Sequence, residues 1–120
     1  MNDREERILW VNDFFQCIDN REFSSILKLV ANDIIYERPG FPTIKGKDNL
    51  LDFYTNKRSV VEGKHTVTNV ISDVNFTAFS GFFSGRLKNN EFIELYFCDV
   101  CQFEGRLLKK RKTFFYSPMI

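Results

Sequence analysis

The 120 residues predict an α+β fold in which N-terminal helices pack on one face of a curved, mostly antiparallel sheet. Two observations carry this. Helical periodicity is confined to the first half of the chain, around one early strand. The second half reads as four consecutive strands joined by short turns, with apolar side chains alternating between faces.

Residues 3–19 predict the first helix, because Ile8, Val11, Phe15 and Ile18 recur at helical spacing with Phe14 beside them. Asn2 or Asp3 can cap it, and Glu5 and Glu6 suit the positive end of its dipole. Asp19-Asn20-Arg21 breaks the pattern, and a second helix follows with Phe23, Ile26, Leu27 and Val30 on one side. Residues 33–38 read as a short strand. Pro39-Gly40-Phe41-Pro42 must turn, since proline restricts the residue before it. Gly46 precedes a third helix over 47–57, with Leu50, Leu51 and Tyr54 as its apolar stripe and Phe53 adjacent. Strands are predicted over 64–74, 76–87, 91–104 and 106–116. Asn89-Asn90 and Glu104-Gly105 supply two of the turns. Gly81 and Gly85, inside the second of these strands, mark bends in the sheet.

One domain over residues 1–120 is expected, and the length suffices for one core without disulfides or metal. A net charge of +1 points neither to nucleic acid nor to an acidic substrate. Fourteen phenylalanines suit a dense core or an aromatic-lined cavity. Three cysteines and the absence of a signal-peptide pattern favour a reducing, cytoplasmic compartment. No apolar run approaches the ~20 residues of a membrane span. Cys98 and Cys101 form a CxxC, but in a strand they point to opposite faces, so no metal or organic cofactor is implied.

The strand Phe92–Phe103 holds the most informative residue. One face carries Ile93, Leu95, Phe97, Asp99, Cys101 and Phe103, and Asp99 is the only charge on it. An unpaired carboxylate there is costly, and the usual escapes are protonation or a partner. Asp99 is therefore a functional candidate, or a structural aspartate satisfied by an arginine or lysine across the sheet. Arg38 shares parity with Ile34 and Tyr36 and can point the same way. It either pairs with Asp99 or holds an anionic ligand such as a carboxylate or enolate. Tyr36, Tyr54 and Tyr96 can donate hydrogen bonds near a pocket. The only histidine, His65, follows Gly63-Lys64 at a strand start and is expected to face solvent. The basic run Lys109-Lys110-Arg111-Lys112 splits by alternation into two pairs on opposite faces and reads as a solvated strand.

The chain resembles the SnoaL-like and ketosteroid-isomerase-like proteins of the nuclear transport factor 2-like superfamily. The resemblance rests on several segments in order: the helical start through Phe14-Phe15, residues 33–40 (DIIYERPG), Ile44-Lys45-Gly46, residues 50–54 (LLDFY) and residues 97–107 (FCDVCQFEGRL). It implies a cone-shaped α+β barrel whose sheet wraps the N-terminal helices around an apolar pocket, and a homodimer formed through the sheet. In the isomerases, an aspartate before the proline after the first strand shuttles a proton. A first-helix tyrosine and a protonated late-strand aspartate hold the enolate oxygen. Asp99 matches the late-strand aspartate, whereas Arg38 stands at the base position and Phe14 at the tyrosine position. Ketosteroid isomerisation by that mechanism is not expected.

The resulting expectation is a small-molecule pocket for an apolar or anionic organic ligand, with proton-transfer chemistry: isomerisation, cyclisation or dehydration. Asp99 would be the acid or base and Arg38 the anchor or oxyanion stabiliser. Phe14, Tyr36, Tyr54, Phe83 and Phe97 would line the substrate site. The alternative is a non-catalytic ligand-binding or assembly module of the same fold.

Overall fold

A computed structural model describes residues 2–73 and 75–116. The first helix, α1 (Asp3–Asp19), opens with a capping box: the Asn2 side chain accepts the Glu5 backbone N–H, and Glu5 reaches back to the N–H of Asn2. A cap of this kind contributes about 1 kcal/mol. The helix buries Trp10, Val11, Phe14, Phe15 and Ile18. Ile8, expected in the core, is only half-buried, and Trp10 replaces it by stacking on Phe14 at 4.8 Å and meeting Phe103 edge-on at 4.7 Å. The helix ends in a Schellman-type turn, with the N–H of Glu22 on the Cys17 carbonyl and Arg21 at φ 60°.

The second helix is shorter than the periodicity suggested. α2 covers only Phe23–Ile26, and Val30 opens β1 (Val30–Glu37) instead of closing a helical stripe. A two-residue strand, β2 (Ile44–Lys45), lies antiparallel to β1 and was not anticipated. The expected third helix divides into α3 (Lys47–Asp52) and a π-helical turn over Phe53–Lys57. That wider turn closes with the Arg58 N–H on the Phe53 carbonyl and buries Phe53 and Tyr54.

The remaining strands are β3 (Val60–Ser72), β4 (Phe76–Leu87), β5 (Phe92–Glu104) and β6 (Leu107–Phe115). β3 begins four residues earlier than expected, and the expected end of that strand at position 74 lies outside the described residues. Asn90 (φ 70°) and Gly105 (φ 61°) take the left-handed conformations that their turns require. The sheet order is β2-β1-β6-β5-β4-β3, and β1 beside β6 is the parallel pair. The sheet is curved and unclosed, with β2 and β3 as its two edges.

β3 and β4 approach closely at their glycines. A Cβ on Gly81 would collide with the Thr66 carbonyl, next to a register shift between Val67 and Asn69. Gly63 faces Gly85 directly, and the Phe83 ring fills the space both leave. Gly81 and Gly85 thus allow close approach of β3 and the Phe83 ring, one of the roles expected of glycines inside a strand.

The concave face carries the core. Phe79, Phe97, Cys101 and Phe103 are buried beneath α1, with Phe15 edge-on to Phe79 and Phe97. The convex face keeps Phe76, Tyr96, Val100 and Phe114 exposed. Cys98 and Cys101 do point to opposite faces, and burial pushes both thiols up, Cys101 strongly. Among the described residues, no helix is long and apolar enough to cross a membrane.

Candidate functional site

Asp99 sits at the middle of the concave face, 0% exposed. Register brings its neighbours: Phe79 stands opposite it on β4 and Thr113 opposite it on β6. Thr113 Oγ1 donates a short hydrogen bond to Oδ1 of Asp99. Arg111, two residues before Thr113 and therefore on the same face, brings Nε and Nη2 to Oδ2 at 3.1 and 3.0 Å. The third nitrogen, Nη1, donates to the Tyr54 hydroxyl at 2.8 Å. Tyr36, level with Arg111 on the parallel strand β1, lies 3.0 Å from Thr113 Oγ1. Since Thr113 spends its proton on Asp99, Tyr36 is the donor in that bond. Burial pushes the Tyr36 phenol up, which keeps it a donor.

Two sequence expectations are corrected here. The partner of Asp99 is Arg111, not Arg38. The basic run is not wholly a solvated strand: Arg111 is 5% exposed, while Lys109 stays at the surface paired with Asp33 and Glu104. Burial alone would weaken the charge on Arg111, but the Asp99 carboxylate and the adjacent tyrosines outweigh it and raise its pKa. The outward half behaves as expected of a surface strand, with Lys110 and Lys112 near Glu37.

Beside this network lies a cavity of about 130 Å³. Its polar lining comes from Tyr36, Arg38, Arg58, His65, Arg111 and Thr113, and its apolar walls include Phe83, Leu95, Phe97 and Phe115. Of the residues expected at the site, Tyr36, Arg38, Phe83 and Phe97 line this cavity. Asp99, Phe14 and Tyr54 stand behind it. Phe14 lies 5.0 Å beneath the Arg111 guanidinium, and Tyr54 fixes Nη1 of the same group.

Arg38 reaches the cavity because β1 ends before Pro39, and its guanidinium is framed by Phe41, Phe53 and Phe115 at 5.1–5.6 Å. Its Nε is buried with no hydrogen-bond partner. Arg58 is delivered by the π-helical turn and is 9% exposed, between Tyr54 and Phe83. Burial, with the nearby Arg38 charge, lowers its pKa. Among the described residues, neither arginine has a carboxylate partner.

His65 was expected to face solvent, and it does not. Its side chain is 11% exposed, stacked on Phe15 at 4.2 Å and leaning on Phe83 at 4.6 Å. Asp19, the last residue of α1, receives the His65 backbone N–H at Oδ2 (2.8 Å) and meets Nδ1 with Oδ1 (2.6 Å). β3 is an edge strand, so that N–H would otherwise lack a partner. A carboxylate acceptor requires a proton on Nδ1, which leaves the lone pair of the neutral ring on Nε2. Nε2 has no hydrogen-bond partner among the described residues. Burial lowers the His65 pKa, and the hydrogen bond and charge of Asp19 only partly oppose it. Sequence spacing held one clue to this pair. A carboxylate in the last turn of a helix sits at the unfavourable end of the dipole and needs donors from elsewhere.

Helices packed on the concave face of a curved, unclosed sheet, with a mixed polar and apolar cavity on that face, form a nuclear transport factor 2-like (NTF2-like) fold. Residues 11–110 match the SnoaL-like domain model, and the chain belongs to that family. Solved structures agree on the fold. An NTF2-like protein of unknown function from Burkholderia pseudomallei K96243 is similar at a TM-score of 0.81 and 17% identity, covering 92% of this chain and 91% of that one. An LEH-like epoxide hydrolase of M. tuberculosis gives 0.81 at 16% identity, covering 96% and 86%. A Catenulispora acidiphila protein with a ketosteroid isomerase-like fold, in complex with trimethylamine, gives 0.80 at 12% identity, covering 91% and 85%. No curated protein sequence matches this chain.

Proposed function

We propose that this protein is a small-molecule enzyme of the proton-transfer type, in which His65 exchanges a proton with an organic substrate held in the cavity. The carrying observation is the 2.6 Å contact between Asp19 Oδ1 and Nδ1 of a histidine that lines the cavity. A base needs an accessible lone pair and a fixed ring. Asp19 fixes the ring, and the stacks on Phe15 and Phe83 hold its plane. A proton taken from carbon next to a carbonyl and returned at another atom is an isomerisation. The same removal with loss of a neighbouring hydroxyl is a dehydration.

In this reading Asp99 is a positioning residue. Both its oxygens are engaged, so it acts by aiming Arg111 and, through Thr113, the Tyr36 hydroxyl. The anchor role of Arg38 is retained, and Arg58 joins it. Tyr36, Phe83 and Phe97 contact the substrate, while Phe14 and Tyr54 support Arg111. The test is solvent exchange. Small carbon acids are incubated in D₂O with the protein, and loss of the hydrogen next to the carbonyl is followed by proton NMR. Protein-catalysed exchange supports the reading.

A non-catalytic ligand-binding module is the second reading. The observation in its favour is that Asp99, which the family resemblance singles out, is fully paired. Ligand binding without any catalysed exchange would select it. For assembly, we propose a homodimer through the convex face, where Phe76, Tyr96, Val100 and Phe114 are exposed.

A further inference from the structure

We infer that the ligand is a small monocarboxylate, no larger than about a benzene ring plus its carboxyl group, whose anionic end is held by Arg38 and Arg58. The inference rests on the pocket reading above and names its ligand class. Two arginines without a carboxylate partner among the described residues, Arg58 buried and Arg38 half-buried with its Nε enclosed, line one cavity. Arginine does not shed its proton in proteins, so both charges persist. The internal carboxylate Asp99 is already consumed by Arg111, and Glu62 is taken by Arg86. Glu37 answers Lys110 and Lys112. Aromatic faces flank both guanidiniums; Asp19, the carboxylate that acts on Arg58 through space, is bound to His65 and makes no ion pair with it, and Arg38 Nε has no acceptor among the described residues. Ring faces offset part of the desolvation cost of a cation but supply no lone pairs. An anion entering the cavity gains both charge-assisted bonds and relief of the repulsion between the two arginines.

The rest of the lining sets the other end of the ligand. Phe83, Leu95, Phe97 and Ile93 offer apolar wall, which inorganic phosphate or sulfate would leave unused. A cavity of about 130 Å³ is close to the ~150 Å³ that holds one benzene in an apolar protein core. A steroid or polycyclic skeleton exceeds it. Neutral His65 at the same cavity adds no competing charge, so the pocket's sign is set by the arginines.

Calorimetric titration of the intact protein with benzoate and its neutral isostere benzamide decides the matter. Benzoate should bind at least about tenfold more tightly than benzamide, and more tightly than 2-naphthoate or inorganic phosphate. Arg58→Gln and Arg38→Gln should each weaken benzoate roughly ten- to hundredfold while benzamide changes little. Benzamide binding also reports that each variant is folded. If a variant does not fold, the wild-type ratio still decides. Benzamide equal to or tighter than benzoate would overturn the carboxylate assignment and leave the pocket reading standing. Phosphate tighter than benzoate would replace it with an inorganic anion site. Failure of both benzoate and benzamide, together with failure of a set of smaller neutral fragments, would overturn the pocket reading itself and this inference with it.

Discussion

One carboxylate, Asp19, takes two bonds from a single residue, His65: the backbone N–H at 2.8 Å and the ring Nδ1 at 2.6 Å. This clamps α1 to the edge strand β3 at the point where the only histidine meets the cavity. Asp19→Asn should therefore loosen both the edge and the ring. Removing the anion should lower the His65 pKa further, since Asp19 is the group that raises it. Following the ring resonances by NMR through a pH titration measures this. An unchanged midpoint would show that the pair does not persist in solution.

The same histidine makes stability depend on pH. Its folded pKa is depressed below the ordinary 6.5, so the unfolded chain binds the proton first as pH falls. Its contribution to stability is complete above pH 6.5 and is lost as pH drops from there to the folded pKa. Below that it changes no further. Urea midpoints should fall across this window in the wild type and fall less in His65→Gln. A His65→Gln variant with an unaltered slope would contradict the assignment.

The Asp99–Arg111 pair gives a mutational prediction. Arg111→Ala strands a fully buried carboxylate and should cost about 3–5 kcal/mol. Combining Arg111→Met with Asp99→Asn should recover part of that loss. Arg38→Ala should cost only about 1 kcal/mol, because it removes ring contacts and no ion pair. Chemical melts of the three variants measure these differences. Comparable losses for Arg38→Ala and Arg111→Ala would mean that Arg38 also holds the carboxylate.

How much of this was legible in the sequence differs by residue. Asp99 could be placed inside because period-two alternation needs only one strand. Alternation set Arg111 on the face opposite Lys110 and Lys112, but nothing local said that this face is inward. The meeting of Arg111 with Asp99 depends on the pairing of β5 with β6, which shifts register between Gln102 and Phe103. No local pattern reports that shift. The Asp19–His65 contact spans 46 residues and is purely tertiary. A histidine at a strand start reads as exposed until α1 is laid across it. Val30 followed the helical stripe of Phe23 and Ile26, yet its parallel pairing with β6 won over local periodicity. The strand glycines were legible as close-approach positions because a glycine inside a strand is itself the signal, although what approaches, the Thr66 carbonyl on β3, is tertiary.

Gly81→Ala tests the close approach. The added Cβ would meet backbone, not a flexible side-chain end, so β3 and β4 must part. A loss of at least about 1–3 kcal/mol is expected. A neutral result in a chemical melt would show that the strands approach less closely than described.

The convex face tests assembly. If the proposed homodimer forms there, Phe114→Glu places a charge on an apolar patch and should shift the sedimentation profile from dimer to monomer. An unchanged profile would place any dimer elsewhere.

The central claim is that His65 moves the proton. The direct measurement is the rate of solvent-deuterium exchange into a carbon acid that the wild type turns over, compared with His65→Gln at equal occupancy by that carbon acid, with benzoate affinity measured separately. Loss of a positioned base should slow exchange by about 10²–10⁴-fold while the arginines still hold benzoate. An exchange rate unchanged in His65→Gln would contradict the account.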